Sequence, residues 1–192
     1  MTLLKINNLK VYYYTRRGIV KAVDNVSLSI NKGEMVGLVG ESGSGKSTLG
    51  LSIIRVLPPQ AKIINGSVIF DGTDLLKLSE REMRKIRGKE ISMVFQDPLT
   101  SLDPLQKIGD QIVETVLEHE PNISKQEAYN MAKKALQEVG IPPDRIDNYP
   151  HQLSGGQRQR VMIALATVLK PKLIIADEPT TALDVIVQDR IM

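Results

Sequence analysis

Cysteine is absent from this sequence of 192 residues, and its absence excludes disulfide bonds and cysteine-ligated metal within this stretch. Long apolar runs are absent too, since none approaches the roughly 18 residues that a membrane-spanning helix requires. The amino-terminal segment lacks a basic stretch followed by a long apolar core, as a secretion signal would have. The sequence therefore predicts a soluble chain, for which any membrane role comes through a partner.

A strong excess of one charge is also missing, because 25 basic residues face 22 acidic ones and leave a net charge of +3. This excess is too small to indicate nucleic-acid binding. A local basic cluster is most simply a solvated helix face, with contact to an anionic membrane surface or a partner as the alternative. The cluster comprises Arg81, Arg84, Lys85, Arg87 and Lys89. The length allows one α/β domain with an inserted subdomain.

Residues 40–47, Gly-Glu-Ser-Gly-Ser-Gly-Lys-Ser, fit the phosphate-binding loop pattern G-x-x-x-x-G-K-[ST]. An apolar run at 35–39 predicts a buried strand before the loop, and 48–54 predicts a helix after it. Backbone N–H groups of such a loop point inward, Lys46 supplies charge for the β- and γ-phosphates, and Ser47 is placed to ligate Mg²⁺. We therefore predict binding of a nucleoside triphosphate rather than a simple Gly/Ser turn. The predicted nucleotide-binding residues here are Gly40, Glu41, Ser42, Gly43, Ser44, Gly45, Lys46, Ser47 and Thr48.

Alternating residues predict strands at 3–11, 26–30 and 66–72. These short strands favour an antiparallel β layer beside the nucleotide-binding core. From residue 97 to about 160, prolines punctuate helical stretches without any strand pattern, which predicts a helical insertion. Its clearest helix begins at a capping box, Ser124-Lys125-Gln126-Glu127, and ends at Gly140.

Two short strands are predicted to end in polar side chains. The strand at 91–95 delivers Gln96 to its end, and the strand at 172–176 is followed by Asp177 and Glu178. At the carboxyl end of a parallel strand, Asp177 orients Mg²⁺ through its waters in proteins with a phosphate loop, and the next acid can meet the attacking water. The alternative is that both acids cap a helix after Pro179.

The segment 153–157, Leu-Ser-Gly-Gly-Gln, opens a predicted helix. A hydroxyl and consecutive N–H groups at a helix N-terminus form a second anion site, unless the segment is only a serine-capped helix entry with flexible glycines. Here the chain resembles the ATP-binding cassette (ABC) family, whose signature motif is this sequence. The resemblance implies that two cassettes pair head to tail, with each ATP between one phosphate loop and the partner's signature. The signature residues are Ser154, Gly155, Gly156 and Gln157.

The resemblance extends over essentially the whole chain and assigns further roles. Gln96 matches a glutamine that reaches the metal and the attacking water, so the implied metal ligands are Ser47, Gln96 and Asp177, and Glu178 is the implied catalytic base. Segment 182–184 matches a loop lining the dimer seam, in which Asp184 is the implied functional residue. Among Tyr12, Tyr13 and Tyr14, the register favours Tyr13 as the residue that stacks on adenine, without closing the question.

The wording of the motifs at 149–152, 158–164 and 176–185 is similar to ATPase subunits of dipeptide, oligopeptide and nickel importers. This similarity implies that a homodimer or heterodimer of cassettes hydrolyses ATP at the cytoplasmic face of a membrane, where it is bound to two permease subunits. A solute-binding protein is an indirect partner, and nucleic acid is not a partner. The alternative is a soluble ABC ATPase of DNA repair or chromosome maintenance. A P-loop kinase or GTPase has no use for the signature.

The resemblance also places a switch histidine some tens of residues beyond 184, and His151 does not match it. We expect the sequence to stop before that histidine, so that hydrolysis by this stretch alone is impaired. The expected class is an α/β P-loop NTPase core with an antiparallel β layer and an inserted helical subdomain. The expected division is a nucleotide-binding core at 1–95, a helical subdomain at 96–160 and the continued core at 161–192.

Overall fold

The computed structural model describes residues 1–97 and 101–178. They belong to two compact units, Met1–Arg84 and Lys85–Met192, each with its own sheet. The division at 1–95, 96–160 and 161–192 stays a prediction. The described strands and helices are β1 Thr2–Thr15, β2 Gly18–Asn31, α1 Lys46–Ile53, β3 Ala61–Phe70, β4 Thr73–Asp74, α2 Glu80–Ile86, β5 Ile91–Val94, α3 Ile108–His119, α4 Lys125–Glu138, α5 Gly155–Thr167 and β6 Leu173–Ala176.

The sheet of the first unit is antiparallel, with strand order β2-β1-β3-β4. This arrangement confirms the predicted β layer, although β1 and β2 are longer than the alternating segments suggested. The hairpin between them closes where Thr15 pairs with Gly18. On β1, the side chains of Leu4, Ile6 and Leu9 are almost fully buried, as expected for one face of a half-buried sheet.

The prediction of a buried strand at 35–39 is wrong. The structure assigns no strand to these residues, and the exposed fractions are 82% for Met35, 52% for Leu38 and 95% for Val39. The four strands of this unit pair with one another, and none of these pairs includes 35–39. An apolar run favours burial, but a strand also requires a neighbouring backbone to which it can hydrogen-bond.

The second unit contains the parallel pair β5–β6 and the three helices α3, α4 and α5. Capping is as predicted at Ser124, whose side chain accepts a hydrogen bond from the Glu127 N–H. The helices enclose one buried apolar cluster, which confirms the helical character of this region. Its members are Leu102, Ile108, Ile112, Val113, Val116, Ala128, Ala132, Ala135, Leu136, Ile141, Ile146, Leu153, Val161, Ala164 and Val168. In the described part of the chain, no helix is both long and apolar enough to cross a bilayer.

Gly109, near the start of α3, packs closely on the turn at Pro143–Asp147. A Cβ at this position would collide with the side chain of Ile146 and lie 2.7 Å from its carbonyl oxygen. We therefore expect Gly109→Ala to lower the free energy of unfolding by about 1–2 kcal/mol, although alanine is the better helix former by about 1 kcal/mol. Urea unfolding tests this, with exposed Gln137→Ala on α4 as the control. An unchanged or raised stability of Gly109→Ala would contradict the close packing.

Candidate functional site

The loop at 40–47 leads from the first sheet into α1, and Gly45 is the N-cap, the residue directly before the helix. Gly45 has φ of +94°, and a Cβ there would collide with the carbonyl oxygen of Ala22 on β2. Gly43 also has a positive φ, +80°, but its Cβ would meet nothing within 4 Å. The two glycines of the motif are thus required for different reasons. Gly45 allows both the positive φ and the close approach of β2, whereas Gly43 allows only the positive φ of the turn.

Lys46, the first residue of α1, folds its side chain back over the loop. Its Nζ donates hydrogen bonds to the carbonyl oxygens of Gly40 and Glu41, each at 2.8 Å. A cavity of about 290 Å³ lies at this position. It is lined by Ala22, Val23, Asp24, Val26, Leu38, Val39, Gly40, Ser44, Gly45, Lys46 and Leu49. An ammonium group and a helix N-terminus at one cavity suit an anionic group such as phosphate.

The three consecutive tyrosines of β1 have different partners. The hydroxyl of Tyr13 lies 3.3 Å from Thr48 Oγ1, on the helix that follows the phosphate loop. Tyr12 instead donates a hydrogen bond of 2.8 Å to Asp24, and this bond raises the pKa of the Tyr12 phenol. Tyr14 is 46% exposed, and the Lys62 ammonium lies 5.6 Å from the centroid of its ring. These contacts place Tyr13 against the predicted nucleotide site.

The predicted catalytic side chains Gln96 and Glu178 meet in the second unit. Gln96 Nε2 donates a hydrogen bond of 2.6 Å to Glu178 Oε2. Directly after the two strands end, the Asp177 N–H donates a hydrogen bond to the Val94 carbonyl oxygen at 2.9 Å. The alternative reading, in which the acids cap a helix beginning after Pro179, concerns residues outside the described ranges.

The signature segment forms the N-terminus of α5, as predicted. Ser154 is the cap, and its Oγ accepts a hydrogen bond from the Gln157 N–H at 3.3 Å. In return, Gln157 Oε1 accepts from the Ser154 N–H at 3.0 Å. A hydroxyl that accepts a hydrogen bond still carries its own O–H. The exposed Ser154, with Gly155 and Gly156 in the first turn, can therefore present donors to an anion.

Two arginines that the sequence did not mark as functional hold this segment. Arg158 donates to the carbonyl oxygen of Leu153 at 2.6 Å, which lies directly before the cap. Arg160 donates to the carbonyl oxygen of Gly140 at 3.0 Å, so it ties α5 to the end of α4. The sequence signal that could have indicated them is their position in the first two turns of the helix that follows the signature. Carbonyl groups at the ends of helices and turns lack partners within the element, and arginine side chains can donate hydrogen bonds to them.

The predicted metal ligands supply a hydroxyl, an amide and a carboxylate, from Ser47, Gln96 and Asp177. These are oxygen donors of the kind that Mg²⁺ takes, usually together with waters and phosphate oxygens rather than within an all-protein cage. Among residues 1–97 and 101–178, no three His, Cys, Asp or Glu side chains gather as a metal cluster. Asp184, predicted for the dimer seam, lies outside the described residues.

Comparison with known proteins gives a match to the ABC transporter family over residues 23–181. Over 99% of its length the chain is 50% identical to a probable peptide ABC transporter ATP-binding protein, y4tR, of Sinorhizobium fredii, of which it covers 57%. It is also 50% identical to the dipeptide transport ATP-binding protein DppD of Lactococcus lactis, with 98% of this chain and 55% of that protein covered. The chain thus spans little more than half the length of these relatives.

Solved structures give the same result. The dimeric ATP-binding cassette MJ0796, in a post-hydrolysis state bound to ADP and phosphate, matches with a TM-score of 0.90 and 34% identity. The match covers 98% of this chain and 79% of that one. This likeness confirms the predicted fold class, in which a P-loop ATPase core carries an antiparallel β layer and a helical part.

The two loop glycines yield a matched pair of substitutions. We expect Gly43→Ala to lower the free energy of unfolding by about 1–2 kcal/mol, because only the left-handed backbone is affected. Gly45→Ala should cost about 1–3 kcal/mol more, since its methyl group also collides with β2. Urea unfolding of both variants and the wild type measures the difference. Equal losses for the two variants would show that the approach of Ala22 to position 45 has no energetic weight.

Proposed function

The chain belongs to the ABC transporter family, and from that premise we propose that it is the ATP-binding and ATP-hydrolysing subunit of a peptide importer. The observation that carries the nucleotide-binding part is the phosphate loop, where Lys46 and the start of α1 border one cavity. The names of relatives at about 50% identity over nearly the whole chain, which refer to peptide and dipeptide transport, support the cargo class.

In this proposal the triphosphate of ATP binds at the loop, and its phosphate oxygens compete for the Lys46 ammonium with the carbonyl oxygens that hold it now. Tyr13 stacks on the adenine, since its hydroxyl contacts Thr48 while Tyr12 is engaged by Asp24. When bound, Mg²⁺ neutralises phosphate charge, and we assign its protein ligands to Ser47, Asp177 and Gln96.

Glu178 is the proposed general base. Its carboxylate accepts a proton from water while the water oxygen attacks the γ-phosphorus in line and ADP leaves. The ammonium of Lys46 compensates the charge that develops on the phosphoryl oxygens. A carboxylate that accepts a short hydrogen bond from Gln96 has one oxygen fixed, which restrains its rotation.

We further propose that two cassettes form the working unit, either identical or different. The signature at Ser154, Gly155, Gly156 and Gln157 then binds the γ-phosphate held by the partner, and Asp184 lines the seam. The capped N-terminus of α5 supports this assignment, because it offers hydrogen-bond donors in addition to those of the chain's own phosphate loop. Dimeric solved structures of a similar cassette support it as well.

Two permease subunits complete the proposed assembly at the membrane, and a solute-binding protein delivers the peptide. In this proposal the permeases are the membrane-embedded part. The alternative of a DNA-repair or chromosome-maintenance ATPase finds no support, because the relatives named above are transport proteins.

Lys46→Ala tests the nucleotide site. The variant should weaken ATP binding by about tenfold to a hundredfold, because a hydrogen bond to a charged group contributes about 1.5–3 kcal/mol. Titration of a fluorescent ATP analogue into the full-length protein measures the affinity. Lys77→Ala is the control, since this lysine has an 82% exposed side chain paired with Asp74. Equal affinities of Lys46→Ala and wild type would remove Lys46 from the site.

Ser154→Arg tests the dimer. In a Glu178→Gln background, where slow hydrolysis preserves bound ATP, Ser154→Arg should abolish ATP-dependent dimers and leave ATP binding nearly intact, because the long side chain occupies the space of the phosphate. Sedimentation velocity of the full-length variants decides. Ser124→Arg is the matched control, since Ser124 caps α4 with the same capping box. Dimers that persist with Ser154→Arg, or vanish equally with Ser124→Arg, would contradict the proposal.

A further inference from the structure

The shortest polar contact between the two predicted catalytic side chains joins Gln96 Nε2 to Glu178 Oε2 at 2.6 Å. Both residues belong to the compact unit Lys85–Met192 and both are exposed. Exposed side chains of this length are usually free to adopt several rotamers. A short hydrogen bond between two of them therefore needs a structural cause.

The cause is the register of the parallel strands. Val94, the last residue of β5, pairs with Ala176, the last residue of β6. The Asp177 N–H continues the ladder by donating to the Val94 carbonyl oxygen. Two residues beyond each strand end, the same register brings Gln96 opposite Glu178. The backbone therefore places the two residues near each other, and their side chains complete the contact.

The backbone of Glu178 supplies a second, independent observation. Its φ is +47°, in the left-handed region that residues other than glycine, asparagine and aspartate rarely occupy. Such conformations persist where surrounding contacts enforce them, and they concentrate at functional sites. The unfavourable φ and the short hydrogen bond to Gln96 occur at the same residue.

We propose that Gln96 is a positioning residue for Glu178, in addition to the metal contact that the family resemblance assigns to it. An amide donates through its nitrogen and accepts through its oxygen. Gln96 can therefore restrain the carboxylate with Nε2 while Oε1 remains chemically suited to a cation. The inference rests on the proposed function, because positioning has a consequence only if Glu178 is the base.

Side-chain NMR of the nucleotide-free, full-length protein tests the contact without any activity. The Gln96 NH₂ signals, assigned by their loss in Gln96→Glu, should include one proton shifted downfield, and Glu178→Ala should remove that shift. Gln106 is an internal control, since its Nε2 donates to Glu114 at 3.0 Å. Glu114→Ala should move the Gln106 signals and leave those of Gln96 in place. Gln96 signals that are the same in wild type and Glu178→Ala would overturn the proposal.

Kinetics of the assembled transporter separate positioning from metal binding. Gln96→Glu retains an oxygen ligand, which Mg²⁺ accepts readily, but it removes the donor and places a second carboxylate beside Glu178. We expect Gln96→Glu and Gln96→Ala both to lower kcat on the order of 10- to 100-fold, with KM for ATP within about threefold of wild type. A wild-type kcat in Gln96→Glu would overturn the positioning role.

The double variant completes the test. In a Glu178→Gln background, adding Gln96→Ala should lower kcat by a smaller factor than it does in the wild type, because the positioning part of its effect is already lost and only the metal contact remains. If Gln96→Ala lowers kcat by the same factor in both backgrounds, the result would contradict the proposal. A wild-type assembly without ATPase activity would contradict the proposed function together with this inference. An active wild-type assembly in which the effects of the two substitutions on kcat are independent would contradict this inference alone.

Discussion

The close approach of β2 to the start of α1 is the constraint on which the phosphate loop depends. Helix α1 can begin at Lys46 only because position 45 has no side chain to strike the Ala22 carbonyl. This approach sets the helix beside the first sheet, so that Thr48 meets the Tyr13 hydroxyl. It also sets the base of the loop from which Lys46 reaches back to its carbonyls. The glycine at position 45 thus allows the Lys46 ammonium, the N-terminus of α1 and the Tyr13 ring to lie where they do.

The second unit solves a similar problem with a strand register. Parallel pairing of β5 and β6 brings an amide and a carboxylate together directly after the strands end, where side chains are accessible to a substrate. At the signature, the work is done by capping: Ser154 and Gln157 satisfy each other, and Arg158 holds the carbonyl of Leu153. At the signature, the backbone groups around the cap are thus satisfied within the same segment.

These features and the family membership support one interpretation. The phosphate-loop motif with Lys46, the contact between Gln96 and Glu178 and the capped helix start at Ser154 are all formed by described residues. The chain covers little more than half of these relatives, and the activity, cargo and partners of the whole protein are proposals.

The sequence by itself predicted the phosphate-loop motif, the capping box at Ser124, the helix start at the signature, the antiparallel layer and the helical region, because the patterns that mark them lie within a few residues of one another. Only the tertiary structure decided that 35–39 is exposed, that Tyr13 faces Thr48, and that Gln96 holds Glu178. The last two contacts join residues 35 and 82 positions apart. Local patterns state what a segment prefers, whereas such contacts depend on which other segments the fold brings alongside it.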